Sequence, residues 1–478
     1  MNRRGTAVLA VACLALAVGA GAAAVAANAA TIEVSSAAKA AASSGHWTAP
    51  VPVPGLAALN VGLNAGLNDI ACATGGNCAA GGTYTDKAGD TQAWIASEVG
   101  GRWHSAQEVP GTAALNTGGN ATVNLVACLA PGRCLAVGET SDAAHTQSAF
   151  VATEASNGTW AQARPVAAGM DVSEISCPRA GDCLLGGTSA AGQAAVSVEA
   201  GATWSAPKAL PGVAALGPHG SAVTVLTCSS LGNCLAGGTY VPNHPHLSYD
   251  QMVFVASEVK GVWHRAVPLP GEARLNTGHD ADILAVSCAS AGNCSVGGYD
   301  NFSNGLEGSF AANEVRGGWD AARAIPGATS GLTETVTGLR CTAAATCLAV
   351  GAAGGNGLIA AEKNGIWGKN RLVPDYDYGT TVTAISCRSA GNCLATGYIM
   401  LPGEDSYYPG NESFGIAEIN GIWGPVKFLT VANEGTTNSA VQSCDRNGDC
   451  SIGGTIQYTA PGVEEAAGFS PYVASYTP

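Results

Sequence analysis

The chain has 478 residues, of which 12% are charged and 47% hydrophobic, and its formal net charge is −14. An acidic chain repels phosphate groups, so this charge counts against nucleic acid and anionic lipid as partners. The 65 glycines and the scarcity of charged side chains are typical of an all-β protein. No long stretch with helical periodicity follows the first thirty residues.

The N-terminus has the pattern of a cleaved signal peptide, which we predict over residues 1–29. Arg3 and Arg4 form a short basic region, and the run from Val8 to Ala27 consists of Ala, Val, Leu and Gly apart from one cysteine. Ala27-Asn28-Ala29 then offers the small residues that a signal peptidase accepts. We therefore expect a secreted, extracellular protein.

Two alternatives to a signal peptide are a transmembrane anchor and a lipoprotein box at Cys13. The run is close to the ~20 residues that a span needs, but Ala and Gly make it weakly hydrophobic. Too little apolar chain precedes Cys13 for a lipoprotein box. Residues 30–45 are mostly small and polar, so we expect a flexible leader there and no membrane span after cleavage.

The remaining sixteen cysteines form eight pairs with one spacing, and the first members of successive pairs are 56, 49, 51, 60, 53, 46 and 57 residues apart. Such a period indicates a repeat array. Zinc binding would need four converging ligands, whereas these pairs recur once per unit without matching histidines, so we predict disulfides within each unit. The pairs are Cys72/Cys78, Cys128/Cys134, Cys177/Cys183, Cys228/Cys234, Cys288/Cys294, Cys341/Cys347, Cys387/Cys393 and Cys444/Cys450.

Each unit is predicted to contain four strands, A to D. The residues between two paired cysteines, such as ATGGN, favour a tight turn, so strand A ends at the first cysteine and strand B starts at the second. Strand C is a stretch such as FVASE, and strand D starts at a tryptophan.

The hairpin between strands C and D carries a second motif. In the third unit it reads Ser197-Val198-Glu199-Ala200-Gly201-Ala202-Thr203-Trp204, and similar glutamates precede the other tryptophans: Glu98, Glu154, Glu258, Glu314, Glu362 and Glu418. This pattern resembles the Asp-box repeat of secreted bacterial β-propellers (the BNR, sialidase-like type), with Glu in place of the box Asp. The resemblance covers about residues 46–478. It implies a propeller fold more than a function, since such propellers include sialidases and structural modules.

The two ends of the array complement each other. The eighth unit ends after strand C, near Pro471-Tyr472-Val473-Ala474, while Gly45-His46-Trp47 begins a D strand that no A, B or C strand precedes. Closing a ring protects edge strands. We therefore predict an all-β, eight-bladed β-propeller of four-stranded blades over residues 46–478, in which the N-terminal strand completes the last blade.

Strand alternation places the A–B and C–D turns on one face and the variable B–C and D–A connections on the other. Variable loops on a rigid scaffold usually carry recognition, so we predict a ligand site in the second set of loops. The D–A connections add Leu-Asn-x-Gly stretches at Asn60, Asn116 and Asn276. The predicted ligand-binding residues are Tyr240, His244, His246, Tyr249, Asp250, Tyr299, Asp300, Asp405, Tyr407 and Tyr408.

The sequence shows no catalytic constellation. A sialidase-like site needs several arginines at the channel. Seven of the eight predicted A strands contain no arginine, and the remaining one has Arg340 directly before Cys341. We therefore predict a monomeric, non-catalytic recognition module for an extracellular glycan or protein, with no cofactor. His244 and His246 lack a third ligand, so we expect no metal site. The alternatives are a carbohydrate-active hydrolase or lyase, for which Asp69, Asp171, Glu174, Asp280, Asp282 and Glu334 lie near A strands, and a purely structural protein.

Overall fold

The structure is a computed structural model. It describes residues 45–155, 158–166, 169–201, 203–243, 250–326, 334–373, 379–400, 411–429, 437–445, 447–458 and 468–478. These residues belong to one compact unit, Ser44–Pro478. The predicted signal peptide and all but the last residue of the predicted leader lie outside the described residues.

The described chain forms eight antiparallel sheets arranged as an eight-bladed β-propeller, which confirms the predicted fold class. The chain begins with β1 (His46–Trp47) and β2 (Val51–Pro52), followed by the short helix α1 (Leu56–Leu59). Both strands pair with the last strand of the chain, so the N-terminus completes the last blade as predicted.

Blades 1 and 2 show the repeating unit, whose strand D is split into two short pieces in most blades. Blade 1 consists of β3 (Ala65–Thr74), β4 (Asn77–Thr85), β5 (Thr91–Val99), β6 (Arg102–Trp103) and β7 (Gln107–Glu108). After the helix α2 (Thr112–Leu115), blade 2 consists of β8 (Ala121–Ala130), β9 (Arg133–Ser141), β10 (Gln147–Thr153) and β11 (Arg164–Pro165).

Blades 3 to 5 repeat this order. Blade 3 consists of β12 (Met170–Ser176), β13 (Leu184–Ser189), β14 (Ala194–Ala200), β15 (Thr203–Trp204) and β16 (Lys208–Ala209), and the helix α3 (Val213–Leu216) follows. Blade 4 consists of β17 (Ser221–Ser230), β18 (Asn233–Tyr240), β19 (Met252–Val259), β20 (Val262–Trp263) and β21 (Val267–Pro268). After a 3-10 helix (Glu272–Arg274), blade 5 consists of β22 (Ala281–Ser290), β23 (Asn293–Asn301), β24 (Glu307–Val315), β25 (Gly318–Trp319) and β26 (Arg323–Ala324).

Blades 6 to 8 complete the ring. Blade 6 consists of β27 (Glu334–Ala343), β28 (Thr346–Ala353), β29 (Asn356–Lys363), β30 (Ile366–Trp367) and β31 (Arg371–Val373). Blade 7 consists of β32 (Thr380–Ser389), β33 (Asn392–Met400), β34 (Asn411–Ile419), β35 (Ile422–Trp423) and β36 (Lys427–Phe428). Blade 8 consists of β37 (Thr437–Cys444), β38 (Cys450–Tyr458) and β39 (Gly468–Thr477), to which β1 and β2 add.

All eight predicted cysteine pairs form disulfides, with Cα atoms 3.9–4.1 Å apart. In seven blades the paired cysteines stand opposite each other in strands A and B, and in blade 3 they flank the turn just outside these strands. Each bridge therefore joins the two innermost strands of one blade across their turn.

The second cysteine of every pair is buried. The sequence pattern predicted the pairing of the cysteines but not this burial. The buried residues, each with 1–5% of its surface exposed, are Cys78, Cys134, Cys183, Cys234, Cys294, Cys347, Cys393 and Cys450. Their side chains face the neighbouring blade. The Ser451 hydroxyl of blade 8 lies 3.1 Å from Cys78 Sγ of blade 1, and the Ser295 hydroxyl of blade 5 lies 3.2 Å from Cys347 Sγ of blade 6. These sulfur atoms are therefore part of the core between blades and offer no surface to a ligand.

The glycines after the second cysteine have a steric reason. A Cβ atom on Gly82 of strand B would lie 2.0 Å from the carbonyl oxygen of Gly66 on strand A. The same clash, at 1.9–2.0 Å from a strand A carbonyl, would arise at Gly138, Gly187, Gly238, Gly298, Gly351 and Gly397. The Gly that ends motifs such as CLAVG is needed because the backbone of strand A comes this close to strand B beside its β-bulge.

The hydrophobic core lies between successive blades. Val123 and Val126 of strand A in blade 2, for example, pack in one cluster with Ile95 of blade 1. Most of the predicted D-strand tryptophans are buried or half-buried beside such clusters, and Trp94 is fully buried in one. A ring in which each blade buries the face of its neighbour explains how one chain of this length forms a single compact unit.

The box glutamates contribute to the same interfaces. Each pairs in register with its tryptophan, as Glu258 does with Trp263, and their side chains are buried or half-buried. The Ser257 hydroxyl of blade 4 donates to Glu314 Oε1 of blade 5 at 2.8 Å. The hydroxyl of Ser451 in blade 8 similarly donates to Glu98 Oε2 of blade 1 at 3.1 Å. Burial raises the pKa of both glutamates.

Candidate functional site

The two faces of the ring differ as the sequence predicts. We name the face with the A–B and C–D turns the disulfide face and the opposite one the loop face. On the disulfide face the hairpins are uniform: Gly261 N donates to Gly232 O at 2.9 Å, and equivalent bonds recur in blades 1, 5, 6 and 7. On the loop face the B–C connection is a two-residue turn in blade 6 but spans the interval from Tyr240 to Met252 in blade 4.

The Leu-Asn-x-Gly stretches of the loop face are structural. The amide Nδ2 of Asn116 donates to Thr91 O at 3.1 Å and to Gln92 Oε1 at 2.9 Å, while its Oδ1 accepts from Asn120 N at 2.7 Å. Asn276 makes the equivalent bonds to Gln251 O and Asp280 N. These buried asparagines fix the start of strand C to the D–A connection, so they are not available to a ligand.

The predicted ligand residues fall into three groups. Tyr240, Asp250 and Asp300 are buried, with 7%, 1% and 1% of their surface exposed. Tyr299 is half-buried on strand B of blade 5. The other predicted ligand residues lie outside the described part of the chain; these are His244, His246, Tyr249, Asp405, Tyr407 and Tyr408.

The buried Asp300 belongs to a row of carboxyl groups under the loops of blades 4 to 6. Glu272 lies beside it, and burial followed by the nearby Asp300 charge raises the pKa of Glu272 to about 7. Burial raises the pKa of Asp300 to about 6, with a smaller contribution from Glu334. Glu334 in turn accepts a bond from the Ser309 hydroxyl at 3.2 Å.

Bonds between innermost strands link several blades around the central channel that propellers enclose. In blades 1, 3, 4 and 6 the residue four positions before the first cysteine is polar, sits at a β-bulge in strand A and bonds to the next blade, whereas in blade 5 this position is Leu284. Thr224 Oγ1 donates to Ile283 O and Thr337 Oγ1 donates to Val382 O, both at 2.7 Å. Asn68 and Ser173 donate to Val123 O and Val223 O in the same way.

Two carboxyl groups lie at the next position of strand A, three residues before the first cysteine. Asp69 of blade 1 accepts bonds from Val126 N at 2.7 Å and from Ile70 N at 2.8 Å, yet burial raises its pKa to about 7. Burial, and then the charge of Asp69, raise the pKa of Glu174 of blade 3 to about 8. Glu174 thus lies close enough to Asp69 for the charge of Asp69 to raise its pKa, a proximity that the sequence could not predict.

Nearer the loop face, a second carboxyl pair joins blades 2 and 3. Glu139 of strand B in blade 2 shares a hydrogen bond with Asp171 of strand A in blade 3. Burial, followed by the charge of Asp171 and this bond, raises the pKa of Glu139 to about 7. A protonated Glu139 can donate this bond, which two ionised carboxylates could not form.

At the equivalent level, blade 5 carries an aromatic side chain beside carboxyl groups. Tyr299 occupies the strand B position that Glu139 holds in blade 2, and its register partner is Asp282. Burial, followed by the charges of Asp280, Asp282 and Glu307, raises the pKa of Tyr299 to about 12. Phe302, in the adjoining B–C turn, is exposed over 36% of its surface. Of the predicted ligand residues that the structure describes, Tyr299 is the one that combines accessible aromatic surface with neighbouring carboxylates.

A small cavity opens at the disulfide side between blades 2 and 3. Its volume is about 200 Å³, and Arg133, Glu154 and Glu199 line it together with the Cys134 and Cys183 backbones. Both glutamates are box residues, and Glu199 Oε2 accepts a bond from Cys183 N at 3.2 Å. The cavity is large enough for a few waters or a small ion, and too small for a sugar chain.

Within the described ranges no three His, Cys, Asp or Glu side chains are grouped to hold a metal ion. No helix among the described residues is long and apolar enough to cross a membrane.

No protein-family model matches the sequence, and no curated protein matches it. Solved structures that share its architecture include the β-propeller domain of the Trilobed protease from Pyrococcus furiosus, at 10% identity and a TM-score of 0.45, covering 78% of this chain and 99% of that one. A GH74 xyloglucanase from Xanthomonas campestris has 12% identity and a TM-score of 0.41, covering 87% and 73%. The six-bladed Aleuria aurantia lectin has 12% identity and a TM-score of 0.33, covering 64% and 95%. At these values the likeness carries no information about ligand or activity.

Proposed function

We propose that the chain is an exported recognition module that binds an extracellular glycan or protein on its loop face without catalysing a reaction. The observation that carries the proposal is the contrast between the faces. Turns on the disulfide face are uniform and closed by disulfides, whereas the B–C connections of the loop face differ in length from blade to blade. Variable loops on a rigid frame are where proteins usually place binding residues.

The best-defined part of this surface is in blade 5. An aromatic ring offers apolar area for stacking on a sugar, and adjacent carboxylates accept bonds from sugar hydroxyls or from a basic partner. Tyr299 and Phe302 supply the rings, while Asp280, Asp282 and Glu307 supply the acceptors. Tyr249, Asp405, Tyr407 and Tyr408, on the longer loops, remain part of the proposed site.

The test begins with the exported protein on arrays of glycans and extracellular proteins. Once a ligand is found, the Tyr299→Ala/Phe302→Ala double variant should weaken its binding by about tenfold or more, because aromatic anchors dominate such interfaces. The control is Asn293→Ala, a change on the disulfide face that should leave affinity unaltered. Loss of binding in the control with retention in the double variant would show that the site is on the other face.

A second function, a hydrolase or lyase of polysaccharides, is favoured by Glu139. Glycoside hydrolysis needs a protonated acid and an ionised carboxylate about 5–10 Å apart, on either side of the scissile bond. A Glu139 with a pKa of about 7 would suit the acid role, while Asp171, which shares a hydrogen bond with it, is too close to serve as the second carboxylate. Release of reducing sugar by the unmodified protein, abolished in Glu139→Gln, would establish this function. Under the recognition proposal, bound polysaccharide is recovered intact.

Export is part of the proposal. Eight intrachain disulfides are typical of proteins that fold in an oxidising compartment. We propose that residues 1–29 are removed as a signal peptide and that the mature protein is an extracellular monomer. N-terminal sequencing and light scattering of the secreted protein would test both points; an intact Met1 or a stable oligomer would contradict them.

A further inference from the structure

Exposed aliphatic side chains recur at the C–D hairpins of consecutive blades on the disulfide face. The residue before the strand D tryptophan is Val262 in blade 4, Ile366 in blade 6 and Ile422 in blade 7, with 63%, 73% and 58% of its surface exposed. Val259 and Val315 are further exposed aliphatic residues of these hairpins, and Leu231 is exposed in the neighbouring A–B turn of blade 4. In blades 1 to 3 the position before the tryptophan is polar, with Arg102, Thr159 and Thr203.

The same turns carry positive charge. Lys260, Arg316 and Lys363 occupy the hairpins of blades 4, 5 and 6, and all three are exposed. The box glutamates that begin these three hairpins are buried, and the box glutamate of blade 7 is half-buried. Neither the A–B turns nor the C–D turns of blades 4 to 7 contain another carboxylate, although the exposed Asp320 directly follows the tryptophan of blade 5. The three cations outnumber it, so this sector of an acidic protein is locally basic.

The opposite face holds much of the negative charge. Asp86 and Asp90 lie in the B–C turn of blade 1, and Asp280, Asp282 and Glu307 surround Tyr299 in blade 5. The net charge of −14 predicts repulsion from anionic surfaces for the molecule as a whole. Because Debye screening confines each charge to about 8 Å at physiological salt, the local basic sector governs what the disulfide face meets on contact.

The four hairpins share one backbone conformation. Lys260, Arg316, Asn364 and Asn420 are equivalent turn residues, with φ values of 52°, 53°, 52° and 53°. The following glycine in each hairpin donates to the A–B turn of its own blade, at 2.8–2.9 Å. The disulfides fix those A–B turns. Four copies of one rigid turn on consecutive blades therefore form an array of aliphatic tips with basic neighbours on the disulfide face.

We propose that the disulfide face of blades 4 to 7 docks on a bilayer surface that contains anionic lipids. Aliphatic tips would enter the boundary between headgroups and acyl chains, and the Lys and Arg side chains would contact lipid phosphates. A bilayer is flat over the width of the array, so all four hairpins reach it together. Docking in this way turns the loop face outward, where its ligand site stays accessible.

The test uses residues 45–478, which contain every strand of the ring, in co-sedimentation with vesicles. One set of vesicles is phosphatidylcholine alone, and the other has two parts phosphatidylcholine to one part phosphatidylglycerol. The expected result is binding to the anionic vesicles that weakens as salt rises. The variant Ile366→Asn/Ile422→Asn should reduce that binding by about tenfold or more, because the aliphatic side chains no longer enter the bilayer.

Matched controls come from the loop face. Val61→Asn/Leu63→Asn changes two exposed aliphatic residues there and should leave vesicle binding unaltered. Lys260→Gln/Lys363→Gln should weaken binding to anionic vesicles, and Lys87→Gln in the B–C turn of blade 1 should not. No binding to anionic vesicles, or equal loss in the loop-face controls, would overturn the proposal. So would self-association of the protein that Ile366→Asn/Ile422→Asn abolishes, since a second copy would then be the partner of this surface.

Discussion

The indole ring of Trp47 packs against the phenol ring of Tyr476, with ring centroids 4.8 Å apart and planes tilted by 55°. The two residues are register partners in β1 and β39. In the other seven blades a glutamate stands opposite the strand D tryptophan, within a continuous hairpin. In blade 8 the strand D tryptophan comes from the N-terminal strand, and Tyr476 stands opposite it where the other blades have the box glutamate.

Closure of the ring should therefore depend on the N-terminal strand. Deleting residues 46–54 removes β1 and β2, together with the bond from Thr48 N to Ser475 O, and should lower the melting temperature of the whole protein. Deleting residues 31–44 should change it little. Differential scanning calorimetry of both deletions distinguishes a closed ring from an open array, in which the two would have equal effects.

Local sequence patterns predicted the strands, because cysteine spacing, turn residues and the box motif act within one hairpin. The position of the N-terminal strand followed from the missing strand D of the last unit. Contacts between blades were not predictable in this way: Asp69 and Glu174 interact although a whole blade separates them in sequence. The burial of Tyr240 was not predictable from the sequence either, because Tyr240 belongs to a hydrophobic cluster that includes Val213 of the preceding D–A connection and Phe254 of its own blade.

Local disulfide pairing is the second prediction. Peptide mapping of the exported protein without reductant should give eight links, each within one blade. The double variant Cys341→Ala/Cys347→Ala should lose about 2 kcal/mol of stability, the value that the chain-entropy model gives for so short a loop. A link between blades, or free thiols in exported material, would contradict the repeat.

The third prediction concerns the buried asparagines of the loop face. Asn276→Ala should lower the free energy of unfolding by about 1–3 kcal/mol, because it leaves the partly buried Gln251 carbonyl and Asp280 amide without their partner. Ligand affinity of the folded fraction should stay unchanged. Chemical denaturation and a binding isotherm of the same sample measure the two effects; unchanged stability with lost binding would assign Asn276 to the ligand site instead.

The last prediction is that this protein is more stable in weak acid than in weak base. Glu272 is buried at a position that Leu56, Thr112 and Val213 occupy in the equivalent connections, and its folded pKa is about 7 against a usual value of 4.5. A pKa raised on folding gives stability that is complete below the unfolded pKa and disappears as pH rises through the folded one. The melting temperature should therefore fall between pH 5 and pH 8. Glu272→Gln, which stays neutral, should remove part of this slope, on the order of 2 kcal/mol. The exposed-carboxylate variant Asp90→Asn is the control and should keep the full slope. A melting temperature that rises from pH 5 to pH 8 in the unmodified protein would contradict a buried, protonated Glu272.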